Sequence, residues 1–262
     1  MVTLERILVP FLDQDEELKS ARVDSLVAWL PDLKQNVLCY AVWAARFDLL
    51  QLMHPHFEEF CYASSIMAAC CGKLDVLAYL EEQGWADISS QTLHFACQHG
   101  HLDIVEYLHP RVPKARYNTM AETAAKGHLH VLKFLHASRS EECNMQATNG
   151  AATYLEIVKF MHYNRSEGCS FLAMDAAAAN GHLEVVNFLH ENRNEGATEE
   201  AINMAAESGH LDVIKYLFEN RSEGCTYRAL RNARRNQHRE VEAFLLEHAH
   251  ELGINLKYAT AL

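Results

Sequence analysis

The sequence predicts an all-α repeat solenoid built from pairs of short helices. Three observations carry that expectation: a ten-residue phrase recurs at steps of 26–28 residues, an Ala-rich helical segment precedes each copy, and a glycine sits at most of the junctions. Composition agrees. Only 5 Pro and 11 Gly occur in 262 residues, too few for long loops or a many-turned β architecture. A chain that is 49% hydrophobic and 22% charged is ordinary for a folded protein.

The phrase reads GKLDVLAYLE from Gly72, GHLDIVEYLH from Gly100, GHLHVLKFLH from Gly127, TYLEIVKFMH from Thr153, GHLEVVNFLH from Gly181 and GHLDVIKYLF from Gly209. Weaker copies start at Ala45 and Gln237, giving about eight units. Within the copy from Gly181, Leu183, Val186 and Leu189 share one helical face, with Val185 and Phe188 beside them. That apolar surface is too wide for an isolated surface helix, and stacked neighbours would bury it. Gly72, Gly100, Gly127, Gly181 and Gly209 fall where the first helix stops, a left-handed position cheapest for glycine. Alanine pairs before them, such as Ala177–Ala178 and Ala205–Ala206, allow close helix approach.

Thr92–Leu108 reads TLHFACQHGHLDIVEYL and resembles the ankyrin pattern T-P-L-H-x-A-A-x-x-G-H-L-x-x-V-x-x-L. The resemblance covers roughly residues 36–248. Two departures stand out. Only Leu93–His94 keeps the T-P-L-H tetrapeptide well, and no unit has its proline. The period is also about five residues short of the usual 33, because connectors such as Asn164–Cys169 and Asn220–Cys225 replace the projecting β-hairpin. The resemblance implies a non-enzymatic protein that binds a protein or peptide on its concave face. That face is built from exposed first-helix positions and the loops before them. One column of such positions holds Ser90, Tyr117, Phe171, Glu199 and Tyr227; the other, just before the junction, includes Gln98, His99, Lys126, Asn180, Glu207, Ser208 and Arg235. Arg228 and Arg231 extend the candidate surface, and Tyr117, Phe171 and Tyr227 are its aromatic anchors.

The ends depart from the phrase. Residues 1–35 read as an N-terminal cap, with helices around Ile7, Leu8 and Phe11 and around Val23, Leu26, Val27 and Leu30, the latter ended by Pro31. The alternative is a docking module. Repeats fill 36–248 and a tail 249–262, in one continuous domain. In the last unit Arg234, Arg239 and Glu242 replace apolar repeat positions, as a terminal face requires. The alternative there is a basic patch of Arg228, Arg231, Arg234, Arg235 and Arg239 that docks an acidic or phosphorylated partner. Asn149–Gly150 inside a first helix predicts a shortened element.

Chemistry offers little else. His101, His128, His182, His210 and His238 share one repeat position, where the family's histidine bonds a neighbouring turn. His54, His109, His136, His162 and His190 share another, at the end of the second helix, where the helix dipole favours a partly charged ring. Such ladders do not converge as metal ligands, so no metal or cofactor is expected. Of the eight cysteines, Cys143, Cys169 and Cys225 share a small slot filled by Ala197 in the intervening unit, and Cys70–Cys71 is a candidate reactive pair. Glu141–Glu142 and Glu199–Glu200 suit helix starts. No nucleophile elbow, Walker loop or zinc-protease motif occurs. A net charge of −12 disfavours nucleic acid and an electrostatic membrane anchor. No apolar run reaches the roughly 18 residues that span a bilayer, and the first residues lack a basic leader. The expectation is a monomeric scaffold or adaptor in the reducing cytoplasm, with the nucleus left open. Its alternatives are a ubiquitin-ligase-like substrate receptor, whose N-terminal segment recruits an enzyme, and a pathogen effector that binds a host protein.

Overall fold

A computed structural model describes residues 19–29, 31–57, 60–138 and 144–254. Among the described residues there are seventeen α-helices and no strand. The chain divides into two compact units, Met1–Thr119 and Met120–Leu262. In the first, α1 (Lys19–Trp29) leads into three pairs: α2 (Pro31–Trp43) with α3 (Phe47–Met53), α4 (Phe60–Cys71) with α5 (Leu74–Glu82), and α6 (Ser90–Gln98) with α7 (Leu102–Leu108). The second holds α8 (Thr119–Ala125, starting at the boundary residue) with α9 (Leu129–Ser138) and α10 (Met145–Gly150) with α11 (Leu155–Asn164). It continues with α12 (Phe171–Ala179) and α13 (Leu183–Asn192), α14 (Glu199–Ser208) and α15 (Leu211–Asn220), and α16 (Tyr227–Arg235) and α17 (Arg239–Glu247). This is the all-α helical-pair repeat class. First helices pack on first helices (α2 on α4 on α6; α10 on α12 on α14 on α16), and second helices on second helices (α11 on α13 on α15).

The second helices from α3 to α15 bury the same three positions, among them Val76, Leu77 and Leu80; Ile104, Val105 and Leu108; Val185, Val186 and Leu189; and Val213, Ile214 and Leu217, whereas the closing α17 buries only Val241 and Leu245. Burying each such side chain is worth about 1.5–3 kcal/mol. Leu183, expected on the core face, is only half-buried. The alanine pairs Ala177–Ala178 and Ala205–Ala206 are fully buried, consistent with close helix contact.

The junction is a Schellman turn. Gly181 has φ +75°, and the next N–H, that of His182, donates back to the Ala177 carbonyl at 2.9 Å. The same bond joins His101 to Ala96, His210 to Ala205 and His238 to Ala233. Glycine is required twice over, because the histidine ring of the following repeat lies against it. A Cβ on Gly181 would sit 2.5 Å from His210 Nδ1, and one on Gly72 would sit 2.6 Å from His101. The His101 ring then donates to the Cys70 carbonyl at 3.1 Å, and His238 to the Glu207 carbonyl at 3.0 Å. The two degenerate copies keep the conformation without glycine: Ala45 has φ +51° and Gln237 φ +63°.

A second inter-repeat link starts six residues before the junction. Asp175 accepts from the Thr198 N–H at 2.8 Å and hydroxyl at 2.7 Å. Asn203 Oδ1 does the same for Thr226, at 3.0 and 3.1 Å. His94 occupies that position in its own repeat and bonds the Thr119 hydroxyl at 3.0 Å. The tetrapeptide histidine is therefore replaced in kind, by side chains that accept the same bonds.

The irregular repeat behaves as its sequence predicts: α10 has only six residues. Gly150 is helical there and makes room for a neighbour, since a Cβ on it would lie 3.0 Å from Ala125 Cβ. At the N-terminal end, α1 packs on α2 and α3. It buries Val23, and it buries Lys19 against Asp48. The expected helix around Ile7, Leu8 and Phe11 lies outside the described residues, as do Leu30, Glu141, Glu142 and Cys143. At the other end, residues 249–254 pack as one more connector. Ala249, Leu252 and Ile254 are buried, and the Leu252 carbonyl accepts from the Cys225 N–H at 3.1 Å.

Replacing Gly181 by Ala places a side chain at positive φ, which costs about 1–2 kcal/mol before its contact with His210 is counted. Replacing Gln237 by Gly removes the same strain and stabilises by up to about 1 kcal/mol. Urea unfolding followed by circular dichroism measures both; equal midpoints for G181A and the parent protein would contradict the turn's role.

Candidate functional site

The first-helix starts are set by side-chain caps. Ser89, Ser170, Thr198 and Thr226 accept from the N–H two or three residues on, satisfying a donor the helix cannot. The residue after each cap is therefore fixed at the helix mouth: Ser90, Phe171, Glu199 and Tyr227. Tyr117 differs. It lies in a turn two residues before α8, because Thr119, held by His94, is where that helix begins.

None of the fourteen candidate residues is buried; Ser90, Gln98 and Arg231 are half-buried and the rest exposed. Tyr117 is 69% exposed, Phe171 44% and Tyr227 36%; Leu172 at 52% and Met204 at 43% join them. Leu172 and Met204 were not singled out from the sequence. Their signal was available, because both stand in columns whose residue type changes between repeats. In the second unit the structure brings together Phe171, Glu199, Glu207, Ser208, Tyr227, Arg228, Arg231 and Arg235, on the successive first helices α12, α14 and α16. Ser90, Gln98, His99 and Tyr117 belong to the first unit.

Several candidates also hold the fold. Glu207 accepts from Asn232 at 2.9 Å through its carboxylate, and its carbonyl takes the Asn236 amide at 2.7 Å. Asn180 donates to the Ala176 carbonyl at 2.8 Å. His99 donates to the Phe95 carbonyl at 3.0 Å. Arg228 pairs with Glu200 at 2.5 Å, and Arg231 lies over the Tyr227 ring, 5.6 Å from its centroid. Arg234 turns away and pairs with Glu242 at 2.8 Å. The five-arginine patch, the alternative reading of the last unit, is thus partly neutralised internally.

The connectors carry a motif that the sequence reading did not interpret. Asn164, Asn192 and Asn220 close the second helices, each amide donating at 2.9 Å to the carbonyl four residues back. The next residue is an arginine that clamps a glutamate two residues on: Arg165–Glu167, Arg193–Glu195 and Arg221–Glu223. The Arg193 and Arg221 clamps lie over Gly168 and Gly196 of the preceding connector. Hydrogen bonding from Arg221 holds the Glu223 carboxyl down at about 2, and Arg193 lowers Glu195 in the same way. For Glu167 burial pushes upward, but the Arg165 hydrogen bond and backbone donors outweigh it.

The helix-end histidines take a role other than the one expected. His136, His162 and His190 meet Phe160, Phe188 and Tyr216 of the next repeat edge-on, at centroid distances of 5.4, 5.5 and 5.9 Å. Arg165 and Arg221 donate to the Nδ1 atoms of His136 and His190, at 3.4 and 3.3 Å. A guanidinium can only donate, so these ring nitrogens act as acceptors. The rings seat the neighbouring repeat, and the asparagines close the helix ends instead.

Cys169 and Cys225 are buried in the predicted small slot. Burial pushes the Cys225 thiol up to about 12, and raises Cys169 too. Cys70 is pushed up to about 11 and exposed Cys71 is also raised, both by desolvation. The Cys70–Cys71 pair is therefore held as thiol at neutral pH, unlike an activated nucleophile. Among the described residues no three His, Cys, Asp or Glu side chains converge as metal ligands. No helix there is long and apolar enough to cross a membrane. Two clefts, beside Cys169 and beside Ala197, each enclose only about 10 Å³, room for about one water and far below a small-molecule site.

Stacked helical pairs with a solvent-facing, chemically varied first-helix surface define a repeat protein of the interaction-module class. A family model described as ankyrin repeats in three copies matches residues 145–258, and one described as ankyrin repeat matches residues 93–111. Together they take in about half of the chain, which belongs to the ankyrin-repeat family. No curated protein matches the sequence.

The clamps make stability pH-dependent with a definite sign. Glu223 is lowered from 4.5 to about 2 in the folded protein. Its contribution is complete above about pH 4.5 and is lost as the pH falls through about 2. Urea midpoints measured from pH 6 to pH 2 should fall less steeply for Glu223→Gln than for the parent protein. Parallel curves would rule out the clamp as a source of acid sensitivity.

Proposed function

We propose that this protein is an interaction scaffold or adaptor, acting as a cytoplasmic monomer, that seats a protein or peptide on its exposed first-helix surface. One observation carries the proposal. Phe171, Leu172, Met204 and Tyr227 stand in water on successive first helices of the second unit, while the columns beside them are filled and closed. Stacking does not require large apolar side chains there, and an exposed apolar patch of this kind marks a binding surface. The family supplies the context, since its repeats are protein–protein interaction modules. In this proposal residues 1–35 cap the repeats of 36–248 and 249–262 close them. The packing of α1 on α2 and α3 supports a capping role over a detached docking module.

Full-length protein should capture partners from a cytoplasmic extract. Changing Tyr117, Phe171 and Tyr227 together to Ala should remove them, because aromatic anchors dominate interfaces. The triple variant should keep its stability to within about 1 kcal/mol, as surface changes usually do. Capture of the same partners by a folded triple variant would place the binding surface elsewhere.

A further inference from the structure

We infer that the second unit's first-helix surface selects an extended, acidic partner segment, with an apolar anchor on Phe171, Leu172 and Met204 and its carboxylates on Arg231 and Arg235. This rests on the proposed interaction surface and names the chemistry that surface recognises. In a chain of net charge −12, helix α16 carries four arginines and no acid. Arg228, Arg231 and Arg235 follow at three- and four-residue steps, and so share one face. Arg234 lies off that face and is paired with Glu242.

The acids that face this helix are accounted for. Glu200 holds Arg228 in an exposed pair, of a kind that solvent screens and a competing carboxylate can displace. The Glu207 carboxylate is engaged by Asn232. Glu199 stands at the opening of α14, beside the Tyr227 end of α16, whereas Arg235 closes α16, roughly 12 Å further along. Arg235 is exposed and Arg231 lies over the Tyr227 ring; neither makes an ion pair among the described residues. A planar guanidinium on an aromatic face is positioned for bidentate carboxylate bonding.

Met204 of the apolar anchor lies one first helix away, on α14, and Phe171 and Leu172 lie two away, on α12. Neighbouring helices pack about 8–10 Å apart, so the partner must bridge about 20 Å. An extended segment covers that in roughly six residues.

Selection of a random twelve-residue display library against the full-length protein tests this. Enriched peptides should carry Asp or Glu some six residues from a large apolar residue. Arg231→Gln with Arg235→Gln should weaken them at least about tenfold, and binding should fall as salt rises. Enrichment of basic or uncharged peptides that Phe171→Ala weakens and the arginine pair does not would overturn the acidic assignment while leaving the surface intact. Selected peptides indifferent to both sets of changes would overturn the surface as well. A phosphoserine version of the best peptide that binds over tenfold tighter than its glutamate form would overturn the choice of carboxylate in favour of phosphate.

Discussion

Every described α-helix of this protein depends on its neighbour. The described helices run from six to thirteen residues, at or below the length at which an isolated helix is marginal in water. Their stability therefore comes from stacking, and stacking is held in register at the junction turn. There a left-handed glycine reverses the chain and leaves its α-carbon bare, and the histidine of the next repeat covers it. One conformational requirement and one contact fall on the same atom. A side chain at that point would disturb its own repeat and the seat of the following one.

Short connectors follow from the same dependence. Without a projecting hairpin to tie repeats together, the second-unit connectors use charge instead. An asparagine closes the helix, an arginine reaches a glutamate two residues on, and the Arg193 and Arg221 clamps lie over the glycine before them. Surface pairs usually contribute little, but these are partly buried, repeated and reinforced by backbone donors to Glu223. The connector stays flat, and the helix faces are left as the surface with room for a partner.

What the sequence disclosed follows from what varies between repeats. The second-helix core was legible because Val, Ile and Leu recur at fixed positions, and the junction because glycine recurs there. The inter-repeat polar link was not, because one role is filled by His94, Asp175 and Asn203 in turn. Those side chains share an ability to bond the next helix start, a property that identity matching does not see. The helix-end histidines misled for the opposite reason. Their identity is constant, but their surroundings include the aromatic ring of the next repeat, which lies 24 to 26 residues away in the chain. Tyr117 aligned with Phe171 and Tyr227, yet it lies before its helix because the cap there is displaced.

The same logic separates scaffold from surface among the candidate residues. Glu207, Asn180 and His99 vary between repeats and lie at the expected face, but each makes a hydrogen bond within the fold. Variation there reflects alternative solutions to a local bonding problem. Phe171, Leu172 and Met204 vary without such a task. Their neighbours are already packed, and leaving their apolar area in water gains the isolated chain nothing. Arg235 is alike in the polar sense, a charge that the folded chain does not use. Groups without a task in the fold are the ones on which binding can act without a cost in stability, and here they gather on three adjacent helices.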